Sequence, residues 1–159
     1  MTAGKAACRT DSVAFRSAGA SQDSLTLALD ALLRAFGTEV DLKTLAGLLS
    51  TGHANVVEAA RRFGVELRDL HPPEAAPLPT PPEFEQHFQD SYLPFIRAAL
   101  TRDEPVLAWM GWPPPDECEW GVITGIDPAT NRCIGRTRSS PKADVAMIGP
   151  AVQVYTVVE

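Results

Sequence analysis

Cysteine and histidine are scarce here, three of each in 159 residues. Cys8, Cys118 and Cys133 are odd in number, form no CxxC pair and fit no secreted disulfide framework, so they read as free thiols. His53, His71 and His87 are scattered, with no HExxH pair and no neighbouring cysteine, and no metal or cofactor is expected. No apolar run approaches the roughly eighteen residues of a membrane span. The first twenty residues also lack the continuous apolar stretch of a signal peptide, so the expectation is a cytoplasmic protein with no membrane partner. Positive charge is in deficit, with 14 Lys and Arg against 20 Asp and Glu and a net charge of -6. That balance argues against binding nucleic acid through phosphate neutralisation.

What is present is enough for a core. Apolar residues make up 45% of the chain, which excludes general disorder, and the length suits a single domain over residues 21–159 behind an N-terminal extension, 1–20. From residue 21 to 64 the pattern is helical. Ser21 or Asp23 can cap a helix running through Leu25, Leu29, Leu32, Leu33 and Phe36, with Gly37 to stop it. Its other face, Ser24, Ala28, Ala31 and Ala35, carries only small residues, so both sides can pack and the helix belongs in the middle of the domain. Asp41 caps a second helix with Leu42, Leu45, Leu48 and Leu49 on one side. A third carries Val56, Val57, Ala60 and Phe63, and leads from Gly64 into a short alternating strand over 65–68.

Residues 71–82 hold six prolines in twelve positions and read as an extended surface spacer or lid; a ligand for proline-binding modules is the sharper alternative. Helical spacing returns over 83–100 through Phe84, Phe88, Phe95, Ile96 and Leu100, with Pro94 expected to split or kink it. Beyond Asp103 the period changes, and strands are expected over 106–110, 120–126, 133–137 and 145–158, with a hairpin loop at 127–132. The sum is an α+β fold, a helical N-terminal half packed on a mostly antiparallel C-terminal sheet.

A central small-faced helix followed by helices and a meandering sheet resembles the papain-like cysteine peptidases, most closely the bacterial double-glycine leader peptidases and their relatives. Those proteins open the helix with the catalytic Cys, in a pattern like Cys-Gly-x-Ala-Ala-Leu closing on an aromatic residue and Gly. The corresponding stretch here is Asp23-Ser24-Leu25-Thr26-Leu27-Ala28-Leu29, closing with Phe36-Gly37. Downstream, Pro105-Val106-Leu107-Ala108-Trp109 stands where the family has a Pro-Val-Ile strand. Glu119-Trp120-Gly121-Val122-Ile123-Thr124-Gly125-Ile126-Asp127 stands where its strand enters on the catalytic His.

The resemblance implies a papain-like fold over most of residues 21–137, and it also locates what is missing. A helix N-terminus lowers a thiol's pKa and a facing imidazole completes the ion pair. Here Ser24 takes the thiol position and Glu119 the imidazole position. The orienting residue falls near Arg136 or Thr137, and the oxyanion-stabilising Gln has no counterpart because Gln22 lies too close to Ser24. No catalytic residue is therefore assigned. Ser24 acting with Glu119 or a distant histidine is the alternative, against a plain first-turn hydroxyl that satisfies helix amides.

Trp109, Trp112 and Trp120 flank Pro113-Pro114-Pro115 and are candidates for an aromatic wall over the former cleft, or for ordinary packing. Arg132, Arg136, Arg138 and Lys142 form the one basic concentration, opposite Asp116, Glu117 and Glu119, and read as a solvated hairpin. The expected function is a pseudoenzyme that binds a peptide, a small molecule or a protein partner. The alternatives are an active hydrolase or acyltransferase with a displaced nucleophile such as Cys118, or a structural assembly subunit.

Overall fold

The computed structural model describes residues 10–16, 23–50, 55–70 and 83–158. Cys8, His53, His71 and the proline-rich stretch 71–82 lie outside them. The chain runs through α1 (Ser24–Ala35), α2 (Leu42–Leu48), α3 (Val56–Arg62), β1 (Leu67–Asp69), α4 (Glu83–His87), a π-helical turn (Phe88–Tyr92) and α5 (Leu93–Thr101). It then forms β2 (Val106–Trp109), β3 (Trp120–Ile126), β4 (Cys133–Thr137), β5 (Ser140–Ala146) and β6 (Gln153–Val157). Among the described residues, six strands join one sheet in the order β1-β6-β2-β3-β4-β5, and every pairing is antiparallel. The fold is α+β, with helices on both faces.

Alternation along the central strands sorts side chains between two layers. Leu107, Trp120, Val122 and Tyr155 face α1, α2 and α3, and pack with Leu27, Leu29, Leu32, Leu45 and Val56. Val106, Ala108, Ile123 and Val154 face the other way onto Phe88, Tyr92, Leu93, Ile96 and Ala99. The small-residue stripe does what its composition predicts: α1 is buried on every side except at Arg34, lying between the sheet and the neighbouring helices.

Its interior Asp30 is wholly buried and takes bidentate hydrogen bonds from Arg34, one turn on, and from Arg16, at 2.8–3.2 Å. Arg16 also donates to the Val40 carbonyl and Arg34 to the Ala14 carbonyl. These contacts tie residues 10–16 to α1, and Val13 and Phe15 are buried in its layer although the sequence places them in the extension.

Several boundaries differ from expectation. β1 starts two residues late because its position is set by pairing with β6 over Leu67↔Val157 to Asp69↔Tyr155. The expected strand over 145–158 is two strands with residues 147–152 between them, and β5 begins at Ser140. β5 is an exposed edge containing Pro141, Lys142 and Asp144, residues that discourage further strand pairing. Pro94 sits in the first turn of α5, where its missing amide is tolerated. The expected break is the widened π turn just before it.

Candidate functional site

The site is built where the start of α1 meets the start of β3. Asp23, in extended backbone, caps α1 by accepting from the Thr26 amide at 2.9 Å, which leaves Ser24 as the first helical residue. Ser24 is buried, and its Oγ accepts a hydrogen bond from the Trp120 amide at 3.0 Å, across 96 residues of sequence. The register explains this bond. The β3–β4 ladder begins at Val122↔Arg136, so Trp120 lies beyond it, and the serine hydroxyl supplies an acceptor where no strand carbonyl is paired. The sequence suggested a hydroxyl serving its own helix's amides. Asp23 has that role, and Ser24 instead joins the helix to the sheet.

Glu119 immediately precedes Trp120, so the two positions drawn from separate motifs lie together. Its carbonyl accepts from the Met110 amide at 3.0 Å, and its half-buried carboxylate faces the Arg138 guanidinium at 3.8 Å. The turn leading into Glu119 is held by Asp116, a buried carboxylate that accepts from Thr137 Oγ1 at 2.8 Å and Ser139 Oγ at 3.0 Å. Arg138 and Asp116 are the site residues that sequence reasoning left in a solvated charge cluster. Their roles depend on β3 and β4 lying side by side. Arg136, expected near the orienting position, is instead buried: it pairs with Asp144 at 3.0 Å and donates to the Val13 carbonyl at 2.8 Å.

Of the three tryptophans, Trp109 and Trp120 lie on the Ser24 face of the sheet, with Trp109 partly open and Trp120 buried in the core. Trp109 and Trp120 are cross-strand partners stacked at 5.9 Å, and Trp120 leans on Tyr155 at 6.1 Å. Trp109 is half-buried, and its indole donates to the Cys118 carbonyl at 3.2 Å. Across β6, Gln153 pairs in register with Trp109 and donates to the Asp69 carboxylate.

Trp112 does not lie with the other two. It is wholly buried on the opposite face, where Gly121 and Gly135 make room for its ring: a Cβ on either would come within 2.5–2.7 Å of the indole. Burial raises the Tyr155 phenol above its ordinary range, with the Asp69 charge adding to the effect, so this end of the sheet carries a neutral hydroxyl.

Chemically, the arrangement offers a serine oxygen already engaged by an amide, a carboxylate faced by a guanidinium, and an aromatic floor. A serine nucleophile needs a base within hydrogen-bond reach. His87, the one described imidazole, belongs to the other layer, against Phe84 and Tyr92 with ring centroids 5.5 and 5.0 Å away. Cys118 is exposed beside Glu119, and Cys133 is buried on the far face. Among the described residues no group of three or more His, Cys, Asp or Glu is placed to hold a metal ion, and no helix is long and apolar enough to cross a membrane. No protein-family model matches the chain, and no curated protein matches its sequence significantly.

Proposed function

We propose that the chain is a papain-like protein whose thiol and imidazole have been replaced, and that it binds an extended peptide without cleaving it over the Trp109–Trp120 end of the sheet. The observation that carries this reading is the Ser24–Trp120 hydrogen bond at the N-terminus of a fully packed central helix, with Glu119 next to it. In a papain-like hydrolase the nucleophile and base stand at the corresponding positions. Here the first is a structural acceptor, and the second is part of a carboxylate–guanidinium pair. A half-buried tryptophan on an aromatic floor suits side chains of a bound peptide, and aromatic residues supply much of the binding energy at such surfaces. Cys118 and Cys133, both free, are consistent with a reducing, cytoplasmic setting.

The test is turnover of a broad peptide and ester library, read by mass spectrometry, with the unmodified protein. The expected result is no product above background, because removing members of a catalytic unit commonly costs several orders of magnitude. Product formation abolished by Cys118→Ser would support the hydrolase reading instead and place its nucleophile at the exposed thiol beside Glu119.

A further inference from the structure

On the face of the sheet away from Ser24, a cavity of about 240 Å³ lies between the π turn and the loop that follows β5. Phe88 and Leu93 form its helical wall, Met147 and Ile148 its loop wall, and Cys133 opens β4 beneath them. Ile148 is 56% exposed at this cavity, unusually open for a large aliphatic residue in this protein. The thiol adds apolar surface rather than charge, since burial pushes Cys133 up to about 11, against a smaller opposite pull from Arg97.

The polar part of the lining is asymmetric. Arg132 lines the cavity and donates to the Met147 carbonyl at 3.1 Å, while Arg97 reaches across from α5 to Asn131 Oδ1 at 2.9 Å. Both arginines are exposed, and among the described residues neither guanidinium meets a carboxylate, although the protein carries an excess of acidic groups. Most other described arginines do: Arg16, Arg34, Arg61, Arg102, Arg136 and Arg138 each face an Asp or Glu. Arg132 in the lining and Arg97, which sits behind the lining residue Asn131, are not held by a carboxylate among the described residues; beside the apolar side chains of Phe88, Leu93 and Met147 they suit an anionic head on a short apolar body.

We infer that this cavity binds a small monocarboxylate with a short apolar tail, the carboxylate meeting Arg132 and Arg97 beside Asn131 and the tail lying between Phe88, Leu93 and Met147. At about 30 Å³ for each water-sized group, the volume holds roughly eight heavy atoms, the size of a six-carbon acid. Glu85, on the helical wall with its carboxylate accepting from Gln89 Nε2 at 3.0 Å, opposes a second negative charge and so disfavours dicarboxylates.

The experiment uses full-length protein labelled with ¹³C at the methionine methyls, of which the chain has three. Hexanoate, hexan-1-ol, hexylamine and adipate are titrated separately. The expected result is a saturable shift of the Met147 methyl with hexanoate, at least tenfold weaker with each of the other three. Arg132→Gln should weaken hexanoate by about tenfold to a hundredfold, the range for a charged hydrogen bond. Ile148→Trp, at an exposed position that leaves the core alone, should block the mouth and abolish the shift. Arg97→Gln gives a second reading of the head-group site should Arg132→Gln disturb the loop. No saturable shift with hexanoate, equal binding of hexan-1-ol, or unchanged affinity in both arginine variants would each overturn the inference.

Discussion

Ser24→Ala separates a structural serine from a nucleophilic one. The substitution keeps Cβ and removes one oxygen, so the perturbation is the acceptor of the Trp120 amide at 3.0 Å in a buried position. Leaving a buried donor without its acceptor costs about 1–3 kcal/mol. For a chain of this length each kcal/mol lowers Tm by about 2–4 °C, so the expected fall is roughly 2–12 °C. Ser24→Cys retains a weak sulfur acceptor of larger size and should fall between the wild type and Ser24→Ala. Urea unfolding gives the stability change, and amide hydrogen exchange gives its location, with faster exchange at Trp120 than at Val122 or Ile123 in the middle of the same strand. An unchanged urea midpoint together with unchanged Trp120 exchange would refute the idea that this hydroxyl joins helix to sheet.

Asp30→Asn should destabilise by about 2–4 kcal/mol, somewhat below the usual cost of breaking a buried ion pair, because Arg16 and Arg34 are partly exposed and can rehydrate; chemical denaturation measures it. Gly135→Ala should cost more than Gly121→Ala in the same assay. A Cβ at 135 would lie 2.1 Å from the Val122 backbone oxygen, whereas at 121 its nearest contacts are atoms of the Trp112 ring. Cys133 is protonated in the fold up to about pH 11, against 9.0 for its ordinary value. The unfolded chain therefore ionises first, and the stability this thiol contributes is complete below pH 9 and lost as pH rises through 11. Urea midpoints measured across that interval should fall less steeply in Cys133→Ala than in the wild type.

The parts of the fold that could be read in the sequence are those in which burial imposes a period. β3 and β4 match their expected limits because runs rich in β-formers stand between clear turn signals. The central helix was legible from its alanine face, which would be wasted on a surface. β5 was not, because Ser140-Pro141-Lys142-Ala143-Asp144 is an exposed edge held by pairing with β4 and has no apolar period to detect. The placement of Trp112 was equally hidden: its ring occupies space left by Gly121 and Gly135, and that space exists only once β3 and β4 are in register. In the candidate site, motif spacing brought Ser24 and Glu119 together, while Arg138 and Asp116 act through contacts between β3, β4 and the turn before Glu119. Local sequence carries no signal for such partners. An aspartate in an apolar helix four residues before Arg34 was a signal for Asp30, since a mid-helix carboxylate in such a place requires a paired cation.

The most direct test of the central claim uses the three tryptophan indole N–H signals as position markers. Peptides enriched by display selection against the full chain are titrated into ¹⁵N-labelled protein, and the recovered peptide is weighed by mass spectrometry. The account predicts saturable shifts of the Trp109 and Trp120 indoles, no shift of Trp112 on the far face, and peptide recovered intact. A response confined to Trp112, no response at Trp109 or Trp120 from any selected peptide, or cleaved peptide in the sample would contradict it.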